Sequence, residues 1–273
     1  MTKILFFDID GTLCMPGEAP TERTVSSIRG ARANGHKCIL STGRNVTSIP
    51  REVAAIGFDG YITNAGASAA VGEERLLSIP IPENVLRETV DILRQNDACF
   101  ALQTDLGNFS DFAQVDRVWP ERPPQVQRYV ELSAKMLDVW DLSEMPEVPV
   151  YKICFYTPEE RHLHALREKL GKWYSFTLFD NLFDDFTIIS GELNQHGADK
   201  GRALEAICTH FGRSPADAIA FGDSTNDTEM LAAAGLGVAM GNGQASVKAM
   251  ADRICPPCRE DGVAQILEEL GLV

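Results

Sequence analysis

Two aspartates separated by a single residue, Asp8 and Asp10, come directly after the apolar run Ile4–Phe7. Because alternate residues of an extended chain point to the same side, both carboxylates can face one site. Two like charges held close together cost free energy unless a cation neutralises them or one of them takes a proton, and either outcome is useful in catalysis. The alternative is structural: one aspartate forms an Asx turn that leads into Gly11. The pair therefore indicates a candidate site, and the downstream residues decide between the catalytic and the structural interpretation.

A second polar group follows the apolar run Cys38–Leu40. There Thr42 offers a hydroxyl, the backbone N–H groups around Gly43 suit phosphate oxygens, and Arg44 adds a positive charge. Considered alone, Thr42 is better explained as a residue that caps a turn. The group predicts an anion site only if it lies at the same edge as the aspartates.

Two further groups lie near the C-terminus. Lys200 opens a predicted helix, where a lone lysine is ordinarily a solvated surface charge. Asp223, Asn226 and Asp227 follow the apolar run Ala218–Phe221, and Asp227 is equally able to cap the next helix. Several acids that converge on one edge need a hard cation with oxygen ligands, and Mg²⁺ is the natural candidate.

The elements that must position these residues are short buried strands. Each of four apolar runs, Ile4–Phe7, Cys38–Leu40, Tyr61–Thr63 and Ala218–Phe221, ends at a polar residue or group, and helical patterns such as Lys200–Phe211 lie between or after them. This pattern predicts an α/β fold: a doubly wound parallel sheet of the Rossmann type that presents its carboxyl edge to a ligand.

The middle of the chain has a different character. Glu83–Arg94 and Pro158–Leu170 have helical spacing, whereas Phe100–Thr104, Val148–Tyr156 and Phe186–Ile189 are typical of strands. We therefore predict an inserted α+β cap domain at residues 82–190, between a first part of the core domain at 1–81 and a second part at 191–273.

Composition limits the classes of partner. A net charge of −14 over 273 residues argues against nucleic acid and anionic membrane surfaces. The first residues carry no secretory signal pattern, so we expect a cytoplasmic protein, and no obligate protein partner is evident. The seven cysteines are expected to be reduced thiols, and the close pair Cys255 and Cys258 is interpreted as a loop coincidence rather than a redox or zinc site.

Four ordered motifs resemble those of the haloacid dehalogenase superfamily of phosphatases. They are Asp8-Ile9-Asp10-Gly11-Thr12-Leu13, Ser41-Thr42-Gly43-Arg44, Lys200-Gly201 with Ala203-Leu204, and Gly222-Asp223-Ser224-Thr225-Asn226-Asp227. The long insert between the second and third motifs resembles the Cof-type branch, which includes sugar-phosphate phosphatases. Two departures stand out: Asn64-Ala65-Gly66-Ala67 replaces the Asn-Gly-Ala of many relatives, and Cys255-Pro256-Pro257-Cys258 replaces a polar loop.

The resemblance implies a Mg²⁺-dependent phosphatase that forms an aspartyl phosphate on a small phosphorylated metabolite, with a hexose or other sugar phosphate as the leading substrate. It assigns Asp8 as nucleophile and Asp10 as acid and base. It also implies that Mg²⁺ is bound by Asp8, Asp223 and the backbone carbonyl of Asp10. The implied phosphate-binding residues are Thr42, Gly43, Lys200 and Asn226. Arg44 and Asp227 are implied as supporting residues. Substrate specificity is expected in the cap. A phosphomutase and a non-enzymatic sensor of a phosphorylated ligand remain as alternatives.

Overall fold

The computed structural model describes residues 2–120, 124, 127, 139–179 and 189–273. The chain divides into two compact units. The core unit consists of Met1–Arg44, Ile49–Ser78 and Gly197–Val273, and the inserted unit consists of Asn45–Ser48 and Ile79–His196.

The regular elements are numbered along the described chain. The strands are β1 (Ile4–Phe7), β2 (Lys37–Ser41), β3 (Gly60–Thr63), β4 (Ser68–Val71), β5 (Glu74–Ser78), β6 (Cys99–Thr104), β7 (Gly107–Ser110), β8 (Val139–Asp141), β9 (Val150–Thr157), β10 (Tyr174–Leu178), β11 (Ile189–Gln195), β12 (Ala218–Gly222), β13 (Leu236–Met240) and β14 (Arg253–Cys255). The α-helices are α1 (Glu22–Ala33), α2 (Arg51–Ala54), α3 (Glu83–Gln95), α4 (Phe112–Val118), α5 (Glu160–Leu170), α6 (Lys200–His210), α7 (Thr228–Ala233), α8 (Ala245–Met250) and α9 (Gly262–Glu269).

The core unit is built on an eight-stranded sheet in the order β14-β13-β12-β1-β2-β3-β4-β5. The six strands from β14 to β3 are parallel, and β4 and β5 extend the sheet as an antiparallel hairpin. Helices α1 and α9 pack on one face of the sheet, and α6, α7 and α8 pack on the other. The predicted doubly wound α/β fold is therefore confirmed.

The central strand β1 is buried on both faces. Leu5 and Phe7 pack into the cluster that contains α1 and α9, whereas Ile4 and Phe6 pack into the opposite cluster. The ring of Phe7 stacks on that of Phe221 in β12, with the centroids 5.3 Å apart. Burial of each such ring stabilises the fold by about 1.5–3 kcal/mol, so the two strands that lead into Asp8 and Asp223 are firmly joined.

The inserted unit contains a six-stranded sheet in the order β10-β11-β9-β6-β7-β8. Helices α3 and α5 pack on its apolar face, while α4 packs against Cys99 and Tyr156 on the opposite face. The predicted strand Phe186–Ile189 lies outside the described residues except for Ile189, where β11 begins. Because Glu192 and Asn194 alternate with apolar positions, β11 has no continuous apolar run, and the expected boundary at residue 190 falls inside this strand.

All seven cysteines are buried free thiols. Cys255 and Cys258 belong to the apolar cluster beneath α1 and α9, and burial raises the pKa of Cys255 to about 11. A thiol with a raised pKa is a poor nucleophile and a poor metal ligand, and the structure places both residues of this pair in the core rather than in an exposed loop. Of the helices that the structure describes, none combines the length and the apolar character needed to cross a membrane.

A strained turn follows β3. Asn64, Ala65 and Gly66 have φ angles of 53°, 54° and 97°. The N–H of Asn64 donates to the carbonyl of Arg44 at 2.9 Å, and the N–H of Ala65 donates to the carbonyl of Thr42 at 3.1 Å. The turn thus holds the loop after β2, and it does so with an alanine in a left-handed conformation that favours glycine.

We expect Ala65→Gly to stabilise the chain. Removal of the Cβ relieves about 1–2 kcal/mol of left-handed strain, and the greater flexibility of the unfolded chain offsets about half of this gain. Urea unfolding should show a net increase of roughly 0.5–1 kcal/mol in the free energy of unfolding. The control is Ala67→Gly, because Ala67 has a φ of −71° and should lose stability. A loss of stability in both variants would contradict the strain argument.

Candidate active site

The predicted site residues of the core unit follow neighbouring strands of one sheet. Asp8 follows β1, Thr42 follows β2, and Asp223 follows β12, which are adjacent and parallel. Lys200 is the first residue of α6, which is preceded by its N-cap Asp199. Since parallel strands end at the same edge, the fold brings these groups together.

Lys200 lies at the centre of the site and is fully buried. Its ammonium donates hydrogen bonds to Asp8 Oδ1 at 2.7 Å, to Asp227 Oδ1 at 2.6 Å and to Asn226 Oδ1 at 3.3 Å. These bonds use all three donors of an ammonium group. Burial alone would lower the pKa of Lys200, but the charges of Asp227 and Asp8 outweigh burial and raise it. The lysine is therefore a permanent buried cation.

Asp8 is buried beside this cation. Its backbone N–H donates to the carbonyl of Phe221 at 3.1 Å, which fixes the residue at the end of the sheet. Burial, together with the charges of Asp227 and Asp223, holds the pKa of Asp8 well above its usual range, although Lys200 acts in the opposite direction. Added positive charge would favour the ionised carboxylate that a nucleophile requires.

Asp8, Asp223 and Asp227 form a cluster in which one carboxylate oxygen of each residue lies within 4.8 Å of the other two. Asp223 Oδ1 is buried and accepts no hydrogen bond from the described residues. Burial first, and then the charge of Asp227, raise the pKa of Asp223 to about 7. An orphaned carboxylate oxygen among like charges fits a hard divalent cation such as Mg²⁺.

Gly11 is needed for this cluster to form. Its φ is +86°, and a Cβ at this position would lie 2.3 Å from Asp223 Oδ2. The loop after β1 can therefore approach Asp223 only with glycine at this position.

Asp227 has a different environment from the other two acids. Its Oδ1 accepts from Lys200, and its Oδ2 accepts from the backbone N–H groups of Asp223 and Ser224 at 3.0 and 3.1 Å. Because both oxygens are engaged, Asp227 anchors Lys200 and shapes the turn after β12.

Asp10 is bound by Arg44. Arg44 donates through Nε to Asp10 Oδ2 at 2.7 Å and through Nη2 to Asp10 Oδ1 at 2.8 Å, while its own N–H donates to Thr42 Oγ1 at 3.1 Å. Such a bidentate pair fixes the direction of the carboxylate. The spacing of Asp8 and Asp10 indicated that both could face one site, but the pairing of Asp10 with Arg44 was not visible in the spacing.

Asn242 contributes to the site without having been assigned a role from the sequence. Its Nδ2 donates to the carbonyl of Gly11 at 2.7 Å, and its Oδ1 accepts from the N–H of Cys258 at 2.8 Å. It thereby joins the loop after β1 to the loop after β14. The only sequence signal was its place in a stretch, Gly237–Asn242, that resembles the Cof-type branch.

Comparisons with known proteins agree with the motifs. A family model described as haloacid dehalogenase-like hydrolase matches residues 5–267. An HMP-PP phosphatase from Escherichia fergusonii is 30% identical over 98% of this chain and 95% of its own length. An HMP-PP phosphatase from Serratia proteamaculans is 26% identical, also over 98% of this chain and 95% of its own length. A solved structure of a haloalkanoate dehalogenase superfamily phosphatase from Bacteroides thetaiotaomicron is 25% identical, with a TM-score of 0.79 over 100% of this chain and 96% of that chain.

The match of the family model extends over both parts of the core unit and over the insert between them. The chain therefore belongs to the haloacid dehalogenase-like hydrolases and is a phosphatase of that family.

Proposed function

We propose that this phosphatase is Mg²⁺-dependent and that it hydrolyses small phosphorylated metabolites through an aspartyl phosphate on Asp8. The observation that carries the proposal is the buried Asp8 carboxylate, which has one oxygen on Lys200 and lies beside the orphaned oxygen of Asp223. No described residue donates a hydrogen bond to the other oxygen of Asp8, so that oxygen is available to attack phosphorus.

The reaction has two steps. Asp8 attacks phosphorus in line with the leaving oxygen, the P–O bond to that oxygen breaks, and Asp10 gives the departing alkoxide a proton. Asp10 then takes a proton from the water that attacks the aspartyl phosphate, which releases inorganic phosphate and restores Asp8. Arg44 holds Asp10 through both carboxylate oxygens, so proton transfer requires that at least one of these bonds open.

The phosphoryl oxygens need donors that do not move far during the reaction. Lys200, the Thr42 hydroxyl, the Gly43 backbone and the Asn226 amide are the proposed set. Because the Lys200 bond to Asn226 is the longest of its three, at 3.3 Å, we expect the phosphoryl group to replace that bond.

Asp8, Asp223 and the backbone carbonyl of Asp10 are the residues that would hold Mg²⁺. When bound, the ion supplies Lewis-acid stabilisation and reduces repulsion between Asp8 and the phosphate. Asp227 lies in the same cluster, but both its oxygens already accept hydrogen bonds, so we assign it to the positioning of Lys200.

A sugar phosphate, with a hexose phosphate first, is our proposed substrate, and the inserted unit is the proposed source of specificity. HMP-PP is a second candidate because curated relatives that are 26% and 30% identical carry that name. A net charge of −14 supports the further proposal that the enzyme has no nucleic acid or membrane partner. We also propose a cytoplasmic location, because the first residues lack a secretory signal pattern.

Asp8→Asn should abolish turnover without loss of the fold, because an amide is nearly isosteric with the carboxylate but is a poor nucleophile. We expect phosphate release to fall by at least roughly 10³-fold, while circular dichroism and the melting temperature remain close to those of the native chain. Turnover within tenfold of the native rate would rule out Asp8 as the nucleophile.

Asp223→Asn should raise the melting temperature of the metal-free chain above pH 7. The pKa of Asp223 is raised in the folded chain from its ordinary value of 3.8 to about 7, so folding favours the protonated carboxyl and stability falls as pH rises through this range. The asparagine removes that penalty, and a gain of roughly 1 kcal/mol corresponds to about 2–4 °C. The variant should also lose any Mg²⁺-induced rise in melting temperature.

The matched control is Asp91→Asn, which makes the same charge change at an exposed position of α3. It should leave both the metal-free melting temperature and its response to Mg²⁺ unchanged. A native response to Mg²⁺ in Asp223→Asn would exclude Asp223 as a metal ligand.

A substrate panel separates the candidate functions. We expect phosphate release from hexose phosphates in Mg²⁺ that stops when a chelator is added. Release from HMP-PP alone would replace the sugar-phosphate assignment, and transfer to a second hydroxyl without free phosphate would indicate a mutase. Ligand binding with neither reaction would indicate a sensor.

A further inference from the structure

The loop that follows β13 lies at the same edge of the core sheet as the candidate active site. Strand β13 runs between β12 and β14, and residues 241–244 connect it to α8. We call these four residues the β13 loop. None of them carries a charge, so any effect of the loop on the site must come through hydrogen bonds and packing.

The side chain of Asn242 bridges two other loops of the core unit. Its Nδ2 donates to the carbonyl of Gly11 at 2.7 Å, and its Oδ1 accepts from the N–H of Cys258 at 2.8 Å. A carboxamide offers both a donor and an acceptor, whereas an ionised carboxylate of the same shape offers acceptors only. Because Asn242 is an exposed residue, its contribution comes from these two bonds rather than from burial.

Gly11 is the joint on which the bond from Asn242 acts. Its φ is +86°, in a region that glycine enters readily, so its orientation depends on the hydrogen bonds around it. The N–H of Gly11 donates to the carbonyl of Cys14 at 2.8 Å, and this N–H shares a peptide plane with the carbonyl of Asp10. Asn242 holds the next peptide plane. The two bonds fix Gly11 from both sides and thereby set the direction of the Asp10 carbonyl.

The β13 loop also holds Asp223. The N–H of Gln244 donates to the carbonyl of Asp223 at 2.8 Å. Gly243 packs on the same residue, since a Cβ at position 243 would lie 2.8 Å from the Asp223 carbonyl oxygen. One short loop therefore holds the backbone of Asp223 directly and the backbone of Gly11 through the Asn242 side chain.

We propose that Asn242 is a positioning residue for the metal site. It fixes the loop after β1 so that the Asp10 carbonyl and the Asp223 carboxylate converge on one cation. Because the proposal concerns the ligands of Mg²⁺ named above, it rests on the proposed function. Residues that orient metal ligands through hydrogen bonds typically contribute about 10–100-fold to metal affinity.

Asn242→Ala should weaken Mg²⁺ binding. We expect the dissociation constant of Mg²⁺, measured by isothermal titration calorimetry on the metal-free chain without substrate, to rise about tenfold or more. The Mg²⁺ concentration for half-maximal phosphate release should rise by the same factor. Since excess Mg²⁺ refills a weakened site by mass action, kcat at saturating Mg²⁺ should stay within about threefold of the native value. A general loss of stability would not separate the two quantities in this way.

The matched control is Asn34→Ala. Asn34 is also an exposed residue of the core unit, and its Nδ2 donates to the carbonyl of Leu272 at 3.2 Å. It lies just before β2 and hence at the edge of the sheet opposite to the site. Both variants should lower the metal-free melting temperature by about 2–4 °C, but Asn34→Ala should keep the native dissociation constant of Mg²⁺. A similar weakening of Mg²⁺ binding in both variants would overturn the proposal.

Asn242→Asp separates position from charge, and it provides the test if the alanine variant does not fold. The carboxylate keeps an acceptor for the N–H of Cys258 but cannot donate to the carbonyl of Gly11. Its charge alone would tighten the binding of a cation. We expect the opposite, a dissociation constant at least about threefold higher than in the native chain, because the charge offsets only part of the loss. An unchanged or lower dissociation constant would contradict the positioning role.

The outcomes for Asn242 and for the proposed function are separable. If Asp223→Asn abolishes Mg²⁺ binding while Asn242→Ala keeps the native dissociation constant, the metal site stands and the role of Asn242 is overturned. If Asn242→Ala weakens Mg²⁺ binding but the native chain releases phosphate from no ester, the proposed function fails and the role of Asn242 stands. A native chain that binds no Mg²⁺ would overturn the role of Asn242 together with the proposed metal site.

Discussion

The site depends on one buried cation. Lys200 holds Asp8, Asp227 and Asn226 through its three N–H groups in a region from which water is largely excluded. Without it, at least two buried carboxylates would lack a counter-charge, a loss that costs about 3–5 kcal/mol in comparable cases. In the reaction that we propose, the phosphoryl group meets Asp8 beside this cation, so Lys200 both balances the buried carboxylates and is suited to stabilise the transferred charge.

The sheet supplies the rigidity that this arrangement needs. Phe7 and Phe221 stack at the ends of adjacent strands, one residue before Asp8 and two before Asp223. The loops beyond them are joined by side chains, since Asp227 holds the turn after β12 and Asn242 holds the carbonyl of Gly11. Burial first, and then the neighbouring carboxylates, raise the pKa values of Asp8 and Asp223, so the folded chain disfavours their ionised forms and a bound cation would stabilise them.

Four of the six parallel strands were predicted because they are short, continuous apolar runs, and the ends of three of these runs marked the candidate site. The hydrogen bonds of Arg44 and Asn242 escaped prediction because they depend on loops whose path has no periodic signal. The extent of β11 was also missed, since Glu192 and Asn194 break its apolar pattern.

The central claim is that Asp8 becomes phosphorylated during turnover. The most direct measurement is rapid acid quenching of the Mg²⁺-loaded chain with substrate, followed by borohydride reduction and peptide mass spectrometry, because an acyl phosphate is reduced to an alcohol whereas a free carboxylate is not. We predict that the side chain of residue 8, and of no other aspartate, is reduced to an alcohol. We predict no such reduction in Asp8→Asn. Turnover with an unmodified Asp8 peptide at every quench time, or reduction at a different aspartate, would contradict the account.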